Sequence, residues 1–122
     1  MIQQSFILCA GKATRLYPIT LDYPKCLLPI GNKTVLDLII NWLESQNVYK
    51  HICNTFWQSQ KIKYHVSNMK KDITIIEEKE LLGTFGGIVN ALPFLDDIFL
   101  VVYGDTIINC ELKNIIQFVL IP

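Results

Sequence analysis

Four short apolar runs, Ser5–Cys9, His51–Thr55, Ile73–Ile76 and Ile98–Tyr103, alternate along the chain with segments of helical periodicity, and this restricts the fold more than any other feature. Runs that are apolar on successive residues suit strands buried on both faces, and strand–helix–strand order sets such strands side by side in parallel. The pattern predicts an α/β fold, a three-layer sandwich in which helices cover both faces of a mostly parallel sheet.

The helical segments are readable one by one. After Thr34, the residues Val35, Leu36, Ile39, Trp42 and Leu43 share one face while Asp37, Asn41 and Glu44 share the other, and Thr34 with Asp37 forms a capping-box pattern. Gln58–Val66 predicts a second helix, and Thr84–Leu92 a third with Thr84 as its N-cap. Leu112, Ile115, Ile116 and Val119 recur at helical spacing after Asn109, which is expected to cap a fourth.

Composition narrows the class of partner. Of 122 residues 51% are hydrophobic and 18% charged, enough apolar side chain for one domain with its own core. Eleven basic and eleven acidic residues cancel, so no overall field draws the chain to nucleic acid or an anionic membrane, and any anion site must be local. No stretch approaches the roughly 18 uninterrupted apolar residues of a membrane span, and Met1–Cys9 lacks the basic start of a secretory signal, so a cytoplasmic location is expected. Cys9, Cys26, Cys53 and Cys110 are scattered without CxxC spacing and read as reduced thiols, with Cys9 a small hydrophobe at a strand end.

In a parallel α/β sheet, ligands collect at the carboxyl ends of the strands. The chemistry-bearing residues of this chain fall there. Gly11 follows the first run and is surrounded by Lys12, Arg15 and Lys25, while Pro18 and Pro24 stiffen the segment carrying the last two cations. A glycine turn lets backbone N–H groups approach a phosphate, and fixed cations stabilise the charge that develops in phosphoryl or nucleotidyl transfer. Neither GxxxxGK[ST] nor GxGxxG is present. Asp105 ends the last apolar run directly after Gly104, a natural place for one carboxylate ligand of magnesium, although Gly-Asp is also a common turn pair. Glu77, Glu78 and Glu80 read as a solvated loop, and His51 and His65 as structural residues.

Taken together, these residues resemble the sugar-1-phosphate nucleotidyltransferase family. The family's opening pattern, close to LAAGxGTRLxPxTxxxPKxLxPI, stands here as LCAGKATRLYPITLDYPKCLLPI; its LGTAGAL landmark stands as LGTFGGI at Leu82–Ile88, and its strand-end Gly-Asp as YGD at residues 103–105. The resemblance implies a Rossmann-like, GT-A-like nucleotide-diphospho-sugar transferase fold and transfer of a nucleoside monophosphate from an NTP to a sugar 1-phosphate, mannose-1-phosphate guanylyltransferase-like or of a related hexose branch. It implies that Leu8, Ala10 and Gly11 cradle base and ribose, that Thr14 and Arg15 lie beside the triphosphate, that Arg15 and Lys25 are catalytic, and that Gly83, Thr84 and Gly87 approach the nucleoside. Asp105 would bind Mg2+.

Two departures from the family pattern carry expectations of their own. Ala13 stands where the family has its second glycine, at a cost on the order of 1 kcal/mol if that position needs a positive φ. The family's catalytic domain continues well past the Gly-Asp strand with sugar-binding residues, so residues 1–122 correspond to its N-terminal, nucleotide-binding part. An apparently truncated domain of this kind predicts self-association or a complementing chain, and leaves a non-catalytic nucleotide-binding fragment as the alternative to a working transferase. A cytidylyl-type transferase is a further alternative, which PKCLLPIG disfavours.

Overall fold

The structure is a computed structural model describing residues 2–11, 17–18 and 22–115. Thr14 and Arg15, with Lys12, Ala13, Ile116 and Val119, lie outside the described residues.

Strand β1 (Gln4–Leu8) runs through the centre of a four-stranded sheet, flanked by β4 (Lys50–Thr55) on one side and β6 (Leu100–Tyr103) on the other. Outside β4 lies β5 (Asp72–Glu77), giving the order β5-β4-β1-β6, and every pairing is parallel. The expected α/β sheet is therefore present. A two-stranded antiparallel hairpin, β2 (Pro29–Ile30) and β3 (Lys33–Thr34), was not anticipated; it turns through Gly31, whose φ of 64° is readily available only to glycine.

The alternation of side chains along β1 assigns one helical layer to each face. Ile7 and Cys53 face α1 (Val35–Ser45) and α2 (Ser59–Ser67), packing against Leu36, Ile39, Ile40, Leu43 and Ile62, all essentially buried. Phe6 and Ile52 face the other way, toward α3 (Gly83–Ala91), where Ala91 and Ile88 meet them. The capping box at α1 is present in both directions: Asp37 N donates to Thr34 Oγ1 at 3.1 Å, and Thr34 N to Asp37 Oδ2 at 2.8 Å.

Two expected caps are corrected. Helix α3 begins at Gly83 with Leu82 in the cap position, so Thr84 sits in the first turn and makes no capping bond. The last helical turn begins at Leu112 rather than after Asn109, and its first N–H is satisfied from elsewhere, donating to Gln46 Oε1 at 2.7 Å. In both places a short polar side chain lies near a helix start, but another side chain takes an exposed N–H instead, Glu78 for Leu82 and Gln46 for Leu112. Among the described residues no helix is long and apolar enough to cross a membrane.

Candidate functional site

The carboxyl ends of all four strands open on a cavity of about 320 Å³. The turn after β1 supplies Cys9, Ala10 and Gly11, β4 supplies Asn54 one residue before its end, the segments after β5 carry Glu78 and Gly83, and β6 leads into Gly104 and Asp105.

Lys25 reaches this cavity because of how its own turn is anchored. Pro24 stands before a 3-10 turn (Lys25–Leu27) in extended conformation, Leu27 N donates to Pro24 O at 2.9 Å, and the next two side chains, Cys26 and Leu27, are buried in the core beneath α1. With its neighbours pulled inward, Lys25 is left at the rim. Its Nζ lies 2.8 Å from Asp105 Oδ2, and Thr106 Oγ1 donates to the other carboxylate oxygen at 3.0 Å. The Lys25 ammonium, helped by the Thr106 hydroxyl against partial burial, holds the Asp105 carboxyl below the usual carboxylate range.

Asp105 is placed there by Gly104. Gly104 N donates to Leu8 O at 2.9 Å, and a Cβ on Gly104 would stand 2.5 Å from that same oxygen and 2.9 Å from Cys9 Sγ. Only glycine lets β6 run so close over the end of β1.

The opposite side of the cavity is held by a chain of polar contacts. Cys9 N donates to Asn54 Oδ1 at 2.7 Å, Asn54 Nδ2 donates to Glu78 Oε2 at 2.9 Å, and Glu78 Oε1 accepts from Leu82 N at 3.4 Å. Asn54 and Glu78 are only 2% and 4% exposed, so the reading of Glu78 as part of a solvated loop is corrected: it is a buried carboxylate on the cavity wall. Its signal was present in EEKELLGTFGG as the glutamate that directly follows Glu77, the last residue of β5, but strand pairing alone decides which of three glutamates turns inward. Asn54 was missed for the same reason.

The structure brings Leu8, Ala10, Gly11, Lys25, Gly83, Thr84 and Asp105 to the one cavity. Gly83 has φ 74° and needs to be glycine for its backbone alone. Gly87 is not a lining residue; it lies on the buried face of α3, where a Cβ would come within 2.9 Å of Asn54 Nδ2 and 3.0 Å of Glu78 Oε2. Its smallness accommodates the polar chain rather than open cavity space. Gly11 has open space around it. Tyr103, 57% exposed at the end of β6, lines the cavity without having been singled out.

At the cavity floor, Cys9 and Cys26 line the cavity and share the buried core with Cys53. The contact with the Cys26 thiol pulls Cys9 down, but the contact with Cys53 and burial outweigh it and hold Cys9 well above the ordinary thiol range; the contact with Cys9 and burial raise Cys26 likewise. Cys9 and Cys26 are thus protonated thiols that pack in the core. Among the described residues no group of three or more histidine, cysteine or carboxylate side chains could by itself hold a metal ion. Asp105 can offer magnesium a single carboxylate, which suits that ion where phosphates complete its shell.

Residues 4–120 match the family model described as Nucleotidyl transferase. The chain is 38% identical over 114 residues to the bifunctional protein GlmU of Methanococcus maripaludis, covering 93% of this chain and 27% of that protein. It is 34% identical to D-glycero-alpha-D-manno-heptose 1-phosphate guanylyltransferase of Campylobacter jejuni, covering 92% of this chain and 52% of that one. Among solved structures, HddC from Yersinia pseudotuberculosis complexed with GMP-PN superposes with a TM-score of 0.87 at 30% identity, over 98% of this chain and 55% of the other. The chain thus spans from about a quarter to about half the length of these relatives.

Proposed function

The chain belongs to the nucleotidyl transferase family, and from that premise we propose that the strand-end cavity binds a nucleoside triphosphate and that the protein transfers its nucleoside monophosphate to a sugar 1-phosphate. The observation that carries this reading is the pairing of Lys25 with Asp105 across the cavity mouth, beside the glycine turn that ends β1. A cation and a carboxylate held at 2.8 Å on separate rigid elements form a preorganised site for phosphate and its counter-ion.

In the proposed reaction a phosphate oxygen of the sugar 1-phosphate attacks the α-phosphorus, the bond from that phosphorus to the bridging oxygen breaks, and pyrophosphate leaves with the bonding pair. Lys25 orients the α-phosphate and offsets its charge. Arg15 and Thr14 are assigned to the β- and γ-phosphates, Leu8, Ala10 and Gly11 to the base and ribose, and Gly83 and Thr84 to the nucleoside. Gly87 acts from beneath, by leaving room for the Asn54–Glu78 contact. Asp105 is the carboxylate that fits magnesium, which when bound neutralises phosphate charge. Residues 1–122 would then form the nucleotide-binding part of the transferase domain.

Four free thiols, three of them buried, fit a reducing, cytoplasmic setting. The outer edge of β6 has no neighbouring strand among the described residues and carries exposed Val101 and Tyr103, which supports association with a second copy or a complementing chain. The deciding experiment is pyrophosphate release from each of the four NTPs with magnesium and a panel of hexose and heptose 1-phosphates. Release that is lost in Lys25→Ala supports the transferase, whereas nucleotide binding without release makes the chain a binding module.

A further inference from the structure

The Asp105 carboxylate is gripped on both oxygens by donors of different origin. Lys25 Nζ lies 2.8 Å from Oδ2 and reaches it from a separate turn, whereas Thr106 Oγ1 donates to Oδ1 at 3.0 Å from the adjoining residue. An ionised carboxylate only accepts, so the hydroxyl hydrogen must point at Asp105, and the two contacts together fix the plane of the carboxylate. They occupy two of its roughly four acceptor sites and leave the rest open.

The backbone makes Thr106 a fixed donor. Thr106 N donates to Tyr103 O at 3.3 Å, closing the turn Tyr103–Thr106, and inside that turn Gly104 N is tied to Leu8 O. Branching at the hydroxyl-bearing carbon leaves few side-chain rotamers. Asp105 and Thr106 therefore move together, on a turn anchored to β6 and to the end of β1.

The two donors part company when a ligand enters, within the nucleotide-site reading on which this inference rests. Lys25 is assigned to the α-phosphate as well, and its flexible stem lets the ammonium turn from Asp105 toward that charge. Thr106 has no second assignment. With Lys25 engaged elsewhere, the Thr106 hydroxyl is the side-chain donor left on Asp105 among the described residues.

We propose that Thr106 is a positioning residue of this site, its hydroxyl holding the Asp105 carboxylate in the orientation that receives a divalent cation beside a bound triphosphate. Hydrogen-bond partners of ligating carboxylates are worth about 10- to 100-fold in metal affinity, and an exposed donor such as Thr106 belongs at the low end of that range.

The test is calorimetric titration of the full chain with the α,β-methylene analogues of GTP, UTP, CTP and ATP, each in EDTA and again with Mn2+ in place of magnesium. The quantity read is the gain in affinity that Mn2+ confers on the analogue that binds tightest. In Thr106→Val, which keeps the side-chain shape and removes the donor, that gain should fall roughly tenfold while affinity in EDTA stays unchanged. Thr106→Ser, which keeps the donor, should retain most of the gain, and circular dichroism checks the fold of both variants. A full gain in Thr106→Val, an equal loss in Thr106→Ser, or a loss in Thr106→Val that is as large in EDTA overturns the assignment and leaves the nucleotide site intact. A wild-type chain that binds an analogue with no gain from Mn2+ overturns it as well. Failure of every analogue to bind removes the nucleotide site itself and the assignment with it.

Discussion

Lys25 and Asp105 are 80 positions apart in sequence and meet at 2.8 Å over the carboxyl end of β1, with their side chains 40% and 38% exposed. At that exposure the ion pair contributes little to folding, on the order of 1 kcal/mol or less. Its value lies in where it holds the two charges.

Lys25→Ala is therefore expected to separate activity from stability. Pyrophosphate release should fall roughly 100- to 1000-fold, the scale of losing one preorganised charge-stabilising donor, while the urea midpoint moves only slightly. Parallel activity and denaturation series on the purified variant check this, and a large stability loss would mark Lys25 as a structural residue instead.

Gly104→Ala should fail in the opposite manner. The added Cβ would meet Leu8 O at 2.5 Å, and a backbone oxygen in a central strand has little room to yield. A stability loss of about 1–3 kcal/mol is expected from the forced shift, along with lost activity as Asp105 is displaced. Denaturant titration and an activity assay on the same preparation measure both.

Acid should weaken the fold through His51. This imidazole is 1% exposed on β4, with Ser5 Oγ 2.8 Å from Nδ1, and burial pushes it below its ordinary value despite the nearby Glu44 and Asp72 carboxylates. An unfolded chain binds the proton near pH 6.5 and the folded chain only at lower pH, so in that window the unfolded state holds more protons and stability rises with pH. Stability should fall as pH drops below about 6.5, by at most about 1.4 kcal/mol per pH unit, until the folded pKa is passed. His51→Gln should flatten this dependence in thermal melts between pH 7.5 and 5, and an unchanged slope would exclude His51 as its source.

Thiol reactivity offers a simple check on the core. Cys110 is exposed, whereas Cys9, Cys26 and Cys53 are buried. In the native protein a disulfide reagent should titrate one thiol rapidly and the other three only after unfolding. Rapid modification of two or more would show that the cavity floor opens.

The parts legible beforehand were those written in local pattern. Alternating apolar runs specified the parallel sheet, and Thr34 with Asp37 announced the start of α1 because both halves of a capping box lie within four residues. The glycine turn, Lys25 and Asp105 were recognisable as residues out of place in an apolar chain. Asn54 and Glu78 were not, because a polar residue at a strand end acquires meaning only through the strand beside it: β4 pairs with β1 and β5 so that Asn54 lies opposite Leu8 and Ile76. The caps at Thr84 and Asn109 were misread for a related reason. The helix start at Leu112 is completed by Gln46, 66 positions away, and at the start of α3 the N–H of Leu82 turns to Glu78, four residues back, instead of Thr84 capping it.

Two consecutive residues of the central chain hold both ends of the cavity: Leu8 O receives Gly104 N, and Cys9 N is received by Asn54 Oδ1. Mechanically, the two margins of the site are measured from a common origin. A displacement of β1 within the sheet carries both sides with it, so positional errors do not accumulate along the path from one margin to the other. The separation of the two ends is then referred to one strand rather than to the outer helices, which are free to vary without retuning the distance a ligand must span.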